Sequence, residues 1–272
     1  MRTDITSEQI ERYRADGHTV IEDFLSPEEL AEWRDAVGEA AEMRQRGVTA
    51  EGGRSLRNTD EGGDEHYRNV FLQCVNLWQI SDRVKRLILD ERIGRLASEL
   101  EGVDGVRVWH DQTLVKEPWA NATPWHLDCP YWGFHSRHAT SIWLALDDAT
   151  IHNGCLFFLP GTHTEASFDR NAGFTPVMRQ LLDVYPEWAD RPSVAVEMRA
   201  GSCSFHNGML AHGANANMTP GYRRAMTCGF MPIGSTYSGV QNILTDEQAE
   251  KLKVGDVMDD DEQNPVVWQG SG

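Results

Sequence analysis

Cysteine is scarce and unorganised in this sequence. Its five copies, Cys74, Cys129, Cys155, Cys203 and Cys228, are odd in number, widely spaced and free of any C-x-x-C pair. That excludes a disulfide framework and a zinc knuckle, and reduced thiols in a cytoplasmic protein are the simplest expectation. Long hydrophobic runs are also missing: no segment approaches the ~18 consecutive apolar residues of a membrane span. The opening stretch, MRTDITSE, carries no apolar core of a secretory signal. Positive charge is in short supply, with 25 Lys and Arg against 42 Asp and Glu and a formal net charge of −17. A surface of that sign argues against nucleic acid and against an anionic membrane as partners. A small molecule is the expected partner, and a single arginine inside the fold can still bind an anionic ligand.

Hydrophobic residues make up 40% of the 272, enough for a substantial core. One domain is expected over 1–272, with a helical amino-terminal third (about 1–104), a strand-rich core (about 105–232) and a carboxy-terminal extension (about 233–272). Ser7 to Tyr13 reads as a capped helix start that Gly17 ends, and Thr19 to Ile21 as a short strand. Ser26-Pro27-Glu28-Glu29 combines an N-cap, a proline at the first helical position and a capping-box glutamate, with Leu30, Trp33 and Val37 as the buried stripe. From Arg46 to His66 the pattern dissolves into polar residues and glycine, which reads as a loop, either a plain insertion or a lid. Leu77 to Leu100 is helical, with Asp90 dividing it into two.

From Val106 the hydrophobic period changes to two. One face of this strand is expected to carry Val108, His110, Gln112, Leu114 and Lys116, the other Trp109, Asp111, Thr113 and Val115. Further strands are expected at Ala139–Leu146, Cys155–Leu159, Val194–Met198, Ser202–His206, Met209–His212 and Arg223–Met231, punctuated by glycine, proline and asparagine. Thr175–Tyr185 reads as a helical insertion, and the tail from Asp259 as weakly structured. Many short strands after a helical third suggest a barrel or sandwich flanked by helices.

The stretch TPWHLDCPYW, residues 123–132, carries the chemistry. His126 and Asp128 are two apart, so on an extended strand both side chains leave one face and can bind one metal ion. A third ligand must come from elsewhere, and His212, after a short apolar run, is the candidate. Two histidines and one carboxylate with open positions form the facial triad of non-haem Fe(II) oxygenases. Against this stands the ordinary reading of His126 and Asp128 as a surface pair, since H-x-D recurs by chance.

Four motifs in order carry a family likeness: WHLDCPYW from Trp125, IWLALDDA from Ile142, NGCLFFLPGTH from Asn153 and HGANANMTPGYR from His212. Together they resemble the phytanoyl-CoA dioxygenase family of Fe(II)- and 2-oxoglutarate-dependent oxygenases, over most of the chain up to about residue 232. The resemblance implies a mainly β fold with flanking helices, a double-stranded β-helix (jelly roll), with His126, Asp128 and His212 on iron. It implies that Arg223, on the strand after His212, binds the distal carboxylate of 2-oxoglutarate, with further cosubstrate contacts from Gln112, Lys116 and Trp143. O₂ is the second cosubstrate, succinate and CO₂ are products, and the expected reaction is hydroxylation or another oxidation of a C–H bond in a small-molecule metabolite. Tyr131 and Trp132, next to the H-x-D, are candidates for the substrate wall, with core packing as the ordinary alternative.

The other histidines weigh less. His110 can line the same pocket, but Asp111 points to the opposite face, so the two are a poor ligand pair. His163 reads as structural, and His135, His138 and His152 as loop residues. His206 is the rival of His212, and the resemblance favours His212, whose spacing to Arg223 matches that of the family. Arg223 and Arg224 must face opposite sides of the sheet. Arg223 shares its face with the small Ala225, Thr227 and Gly229, while Arg224 is expected to pair locally or reach the sheet edge. A cupin-like metal-dependent dioxygenase or isomerase without a 2-oxo acid is the alternative function, and it would leave Arg223 unexplained. A halogenase would need halide where Asp128 stands, and a decayed binding module does not fit a complete ligand set.

Overall fold

The structure, a computed structural model, describes residues 1–49, 69–172 and 177–270. Its first helix, α1 (Ser7–Asp16), is capped by Thr6, one residue earlier than the sequence suggests, in a reciprocal box with Gln9. Gly17 ends it in the left-handed region at φ 84°. Strand β1 (His18–Ile21) leads to α2 (Pro27–Gln45), where Ser26 and Glu29 form the expected capping box. Trp33 and Val37 are buried on α2, together with Ala36, Ala40 and Ala41. Of the loop expected over 46–66, all beyond residue 49 lies outside the described residues.

After β2 (Leu72–Val75) come α3 (Asp82–Ile88) and α4 (Glu91–Glu101), divided at Asp90, which caps α4 through the Arg92 N–H. Ile93, Leu96 and Leu100 form the buried stripe of α4. Burying each contributes about 1.5–3 kcal/mol relative to exposure, more than helix propensity alone supplies.

The remaining strands are β3 (Gly105–Lys116), β4 (Thr123–His126), β5 (Thr140–Ala145), β6 (Leu156–Phe158), β7 (Val194–Val196), β8 (Cys203–Asn207), β9 (His212–Ala214), β10 (Arg223–Pro232) and β11 (Val266–Gln269). Two short helices, α5 (Gln180–Val184) and α6 (Asp246–Lys251), complete the α-helices among the described residues. The start of the helix expected from Thr175 lies outside the described residues. Among those residues the strands make two antiparallel sheets. The larger runs β1-β8-β5-β10-β3-β11, with β2 also on β3; the smaller runs β4-β9-β6-β7. The two sheets face each other as a double-stranded β-helix.

Strand alternation divides the core. Ile142, Leu144, Met226, Cys228 and Phe230 face outward and pack under Trp33, Leu96 and the other helical residues. Trp143, Ala145 and Ala225 face inward toward Leu156, Phe158 and Ala214 of the smaller sheet. None of the described helices is long and apolar enough to cross a membrane.

Three expectations are corrected here. The two faces proposed for β3 do not run its whole length, because Gly229 pairs with His110 but Phe230 pairs with Val108. Trp109 is therefore the extra residue of a β-bulge. Val108 joins the core under the helices, while Trp109 packs against Phe134 at 5.3 Å in the cluster that holds Trp132. The second correction concerns β9, which begins at His212 rather than ending there, and 208–211 carry the chain from one sheet to the other. The tail is also structured: β11 pairs with β3, and the Asn264 amide donates to the Val108 carbonyl at 2.9 Å.

Candidate metal and 2-oxo acid site

His126 is the last residue of β4, and Asp128 lies beyond the strand, with φ −79° and ψ −55°, heading the turn Cys129–Tyr131. The expectation that one extended strand carries both is thus wrong in mechanism. The backbone N–H groups of Asp128 and Cys129 both donate to the Gly208 carbonyl, at 3.0 and 2.8 Å, and this pins the turn. His212 pairs with His126 across β9 and β4, their rings 4.1 Å apart. Nε2 of each lies 3.7 Å from Asp128 Oδ1. One ligand atom from each of the three residues lies within 4.8 Å of the others.

The tautomers follow from the backbone. Nδ1 of His126 is 2.8 Å from the Pro124 carbonyl and Nδ1 of His212 is 2.9 Å from the Leu210 carbonyl. A carbonyl only accepts, so each Nδ1 carries the hydrogen and each Nε2 presents a lone pair. Burial, with the neighbouring His212 ring, pushes His126 down to about 4, and burial lowers His212 as well. Burial opposes the charge on Asp128, yet the surrounding imidazoles, His212 foremost, hold its carboxyl well below the usual carboxylate range. The donor set is thus two neutral nitrogens and one anionic oxygen, which fits a divalent metal of the Fe(II) type.

A cavity of about 320 Å³ opens on these donors. Arg223 lines it and is 2% exposed; its Nε and Nη1 have no partner, and its guanidinium lies 5.2 Å from the Trp143 ring. Burial lowers its pKa to about 10. An uncompensated buried cation costs several kcal/mol, so the geometry fits an anionic ligand that enters from the cavity. Gln112, Trp143, Tyr131, Trp132, His110 and His206 line the same cavity. The Gln112 side-chain amide oxygen Oε1 accepts from the Gln73 side-chain amide, and Tyr131 donates its hydroxyl to the Ala172 carbonyl.

Lys116 does not join them. It is fully buried, and its Nζ donates to the Val70 and Asn121 carbonyls at 3.0 and 2.5 Å. Burial pushes its pKa down to about 6, with Arg223 adding to the effect. The amine ties strand to loop, so the expected cosubstrate contact from Lys116 is corrected. His206 is placed against the other carboxylate oxygen, its Nε2 3.4 Å from Asp128 Oδ2, while the Ser141 hydroxyl is 3.4 Å from the same atom. His110 and Asp111 diverge as expected: Asp111 turns to the helical side and accepts the N–H groups of Leu77 and Trp78, each at 2.8 Å.

Phe71, Gln73, Asn242 and Ile243 also line the cavity, although no motif in the sequence points to them. Asn242 has a positive φ of 45°. Its local sequence carries no motif, and a polar residue in a loop gives no signal of where the loop folds back.

Residues 13–225 match the family model for phytanoyl-CoA dioxygenase (PhyH). The ectoine dioxygenase of Stutzerimonas stutzeri is 28% identical over 238 residues, covering 80% of this chain and 74% of that protein. Among solved structures, the non-haem α-ketoglutarate-dependent carbocyclase SnoK from nogalamycin biosynthesis superposes with a TM-score of 0.77 at 27% identity, covering 97% of this chain and 96% of its own. The epimerase SnoN in complex with Fe³⁺, α-ketoglutarate and nogalamycin RO gives a TM-score of 0.73 at 25% identity, covering 96% and 97%. These likenesses, with the buried unpaired arginine, disfavour a cupin-like enzyme that works without a 2-oxo acid. The chain belongs to the phytanoyl-CoA dioxygenase family and is an Fe(II)- and 2-oxoglutarate-dependent dioxygenase.

Proposed function

We propose that His126, Asp128 and His212 hold the iron, that Arg223 receives the distal carboxylate of 2-oxoglutarate beside Trp143 and Gln112, and that Tyr131 and Trp132 border the substrate. The chain 1–272 acts as one catalytic unit in the cytoplasm, a location supported by five buried free thiols. The observation that carries the reading is the juxtaposition of a His-Asp-His donor set and a buried, unpaired guanidinium on one cavity.

Bound iron supplies the oxidative decarboxylation of the 2-oxo acid by O₂ and the oxidation of a substrate C–H bond, with succinate and CO₂ released. The chain's own residues orient and exclude. The Pro124 and Leu210 carbonyls fix the two imidazole rings, and Ser141 and His206 flank the second carboxylate oxygen of Asp128. Arg223 aligns the diacid by a planar fork in a water-poor setting, where such pairs are strongest. No side chain is required as nucleophile or general base.

The substrate is a small-molecule metabolite, and the product is an alcohol or another two-electron oxidation product. The relatives named ectoine dioxygenase support hydroxylation, and the neighbour named carbocyclase supports oxidative ring closure, which also removes two electrons from the substrate, as an outcome of the same site. Asp128 occupies the place a halide would need, so chloride or bromide is not transferred. The test is succinate formation from 2-oxoglutarate by the Fe(II)-loaded protein under O₂, with and without candidate metabolites. Iron-dependent succinate is expected; its absence, or a halogenated product from the wild type, would refute the reading.

A further inference from the structure

The cavity has two ends, and the strand register measures the distance between them. On the inner faces of β10 and β3 the cross-strand pairs run Arg223–Lys116, Ala225–Leu114, Thr227–Gln112 and Gly229–His110. Six residues of antiparallel strand separate Arg223 from Gly229, ~20 Å at about 3.4 Å per residue. A five-carbon diacid is about as long as two residues of extended chain, ~7 Å. Even with an extended arginine arm of about equal length, the two fall short of the His110 end. A 2-oxoglutarate anchored at Arg223 therefore leaves His110 to another molecule.

His110 is prepared for one. It is buried, yet neither ring nitrogen makes a hydrogen bond, and Nδ1 is sealed from solvent. A Cβ built on Gly229 would come within 3.4 Å of that Nδ1 and 3.1 Å of two Trp132 ring atoms, so the glycine lets both rings settle on the strand. Nε2 is left as the nitrogen that faces the cavity. A buried imidazole without a partner is destabilising, and an arriving hydrogen bond would relieve that cost.

The wall at this end comes from beyond the family-matched segment, which stops at 225. Ser238 donates its N–H to the Gly133 carbonyl at 2.8 Å and its hydroxyl to the Trp132 carbonyl at 3.3 Å, and Tyr237 bridges Phe134. These bonds fasten the segment to the turn after Asp128, and Asn242 and Ile243 meet the cavity there. Among the described lining residues Arg223 is the only permanent cation, so this end offers apolar faces and neutral polar atoms to a ligand.

We propose that His110 is a substrate-binding residue, hydrogen-bonding through Nε2 to a neutral hydroxyl or carbonyl on the edge of a largely apolar substrate seated between Trp132 and the Asn242–Ile243 segment. This deepens the function proposed above and rests on Arg223 taking the cosubstrate.

The test uses three probes of one shape on the protein loaded with Fe(II) and 2-oxoglutarate without O₂: 2-naphthol, naphthalene and 2-naphthoate, by equilibrium dialysis. The wild type is expected to bind 2-naphthol about 3- to 10-fold tighter than naphthalene, and 2-naphthoate at least about 10-fold weaker than 2-naphthol. His110→Phe and His110→Leu, measured side by side so that one folded variant suffices, should shrink the naphthol preference below about twofold and leave the 2-oxoglutarate Kd unchanged. The proposal is overturned if 2-naphthol fails to bind the wild type, if naphthalene or 2-naphthoate binds as tightly, or if the variants keep the preference. A rise in the 2-oxoglutarate Kd in the folded variants also overturns it, because His110 would then serve the cosubstrate. Failure of the wild type to make succinate, by contrast, sinks the proposed function and is read in a separate assay.

Discussion

Arg224 grips Asp147 through two parallel hydrogen bonds, Nε to Oδ2 at 2.8 Å and Nη2 to Oδ1 at 2.7 Å. One residue earlier on the same strand, Arg223 points to the interior with Nε and Nη1 unpaired. The pleat separates the two guanidiniums, and the same chemistry is satisfied in one and open in the other.

Arg223→Lys should raise the 2-oxoglutarate Kd by about 10- to 1000-fold, since a point charge cannot reproduce a bidentate fork and each charged hydrogen bond contributes about 1.5–3 kcal/mol. Arg224→Lys should change it little. Calorimetric titration of both variants decides, and an equal or larger effect at Arg224 would contradict the assignment.

His126→Ala and His212→Ala should lose Fe(II) while the fold persists. His206→Ala should keep one iron per chain, weakened by no more than about 10- to 100-fold, because its Nε2 meets the carboxylate rather than the metal position. Metal analysis after dialysis reads the outcome. Iron lost from His206→Ala and retained in His212→Ala would exchange the roles of the two residues.

Lys116→Met should lower the thermal midpoint without moving the 2-oxoglutarate Kd by more than about twofold. The Val70 and Asn121 carbonyls would lose their donor, at about 1–3 kcal/mol for each buried group left unpaired. A large change in cosubstrate affinity with an unchanged midpoint would return Lys116 to the site.

Burial pushes His110 down to about 4 from an ordinary value of 6.5, partly offset by the Asp128 charge. Between those values the unfolded chain binds a proton that the folded chain does not, so stability is full above about pH 6.5 and is lost as pH falls toward 4. The metal-free wild type should lose on the order of 2 kcal/mol more than His110→Phe between pH 7 and pH 5. Urea unfolding at both pH values measures this, and parallel losses in the two proteins would show that His110 does not titrate as stated.

Features that depend on near neighbours were legible in the sequence. The capping box of Ser26 and Glu29, the break at Asp90 and the opposite facing of Arg223 and Arg224 all follow from spacing and backbone geometry that a few residues determine. The grouping of His126, Asp128 and His212, whose candidate ligand atoms lie within 4.8 Å of one another, was also legible, because the proposed chemistry demands those residue types and the surrounding motifs supplied the order. The rest was decided by contacts between residues far apart. Asp128 leaves the strand because the Gly208 carbonyl, 80 positions on, accepts two N–H groups at the turn. Trp109 and Val108 exchange faces because β10 pairs with β3 through a bulge, and no local period records a bulge in a partner's register. Lys116 is consumed by two backbone carbonyls that only the closed fold brings to it. Asn242 and Ile243 reach the cavity because Ser238 fastens their segment to Gly133 and Trp132, more than 100 residues earlier. Sequence determines which side chains can bind iron and a diacid; only tertiary packing decides which of them are left without a partner, and an unpaired buried group is what makes a site.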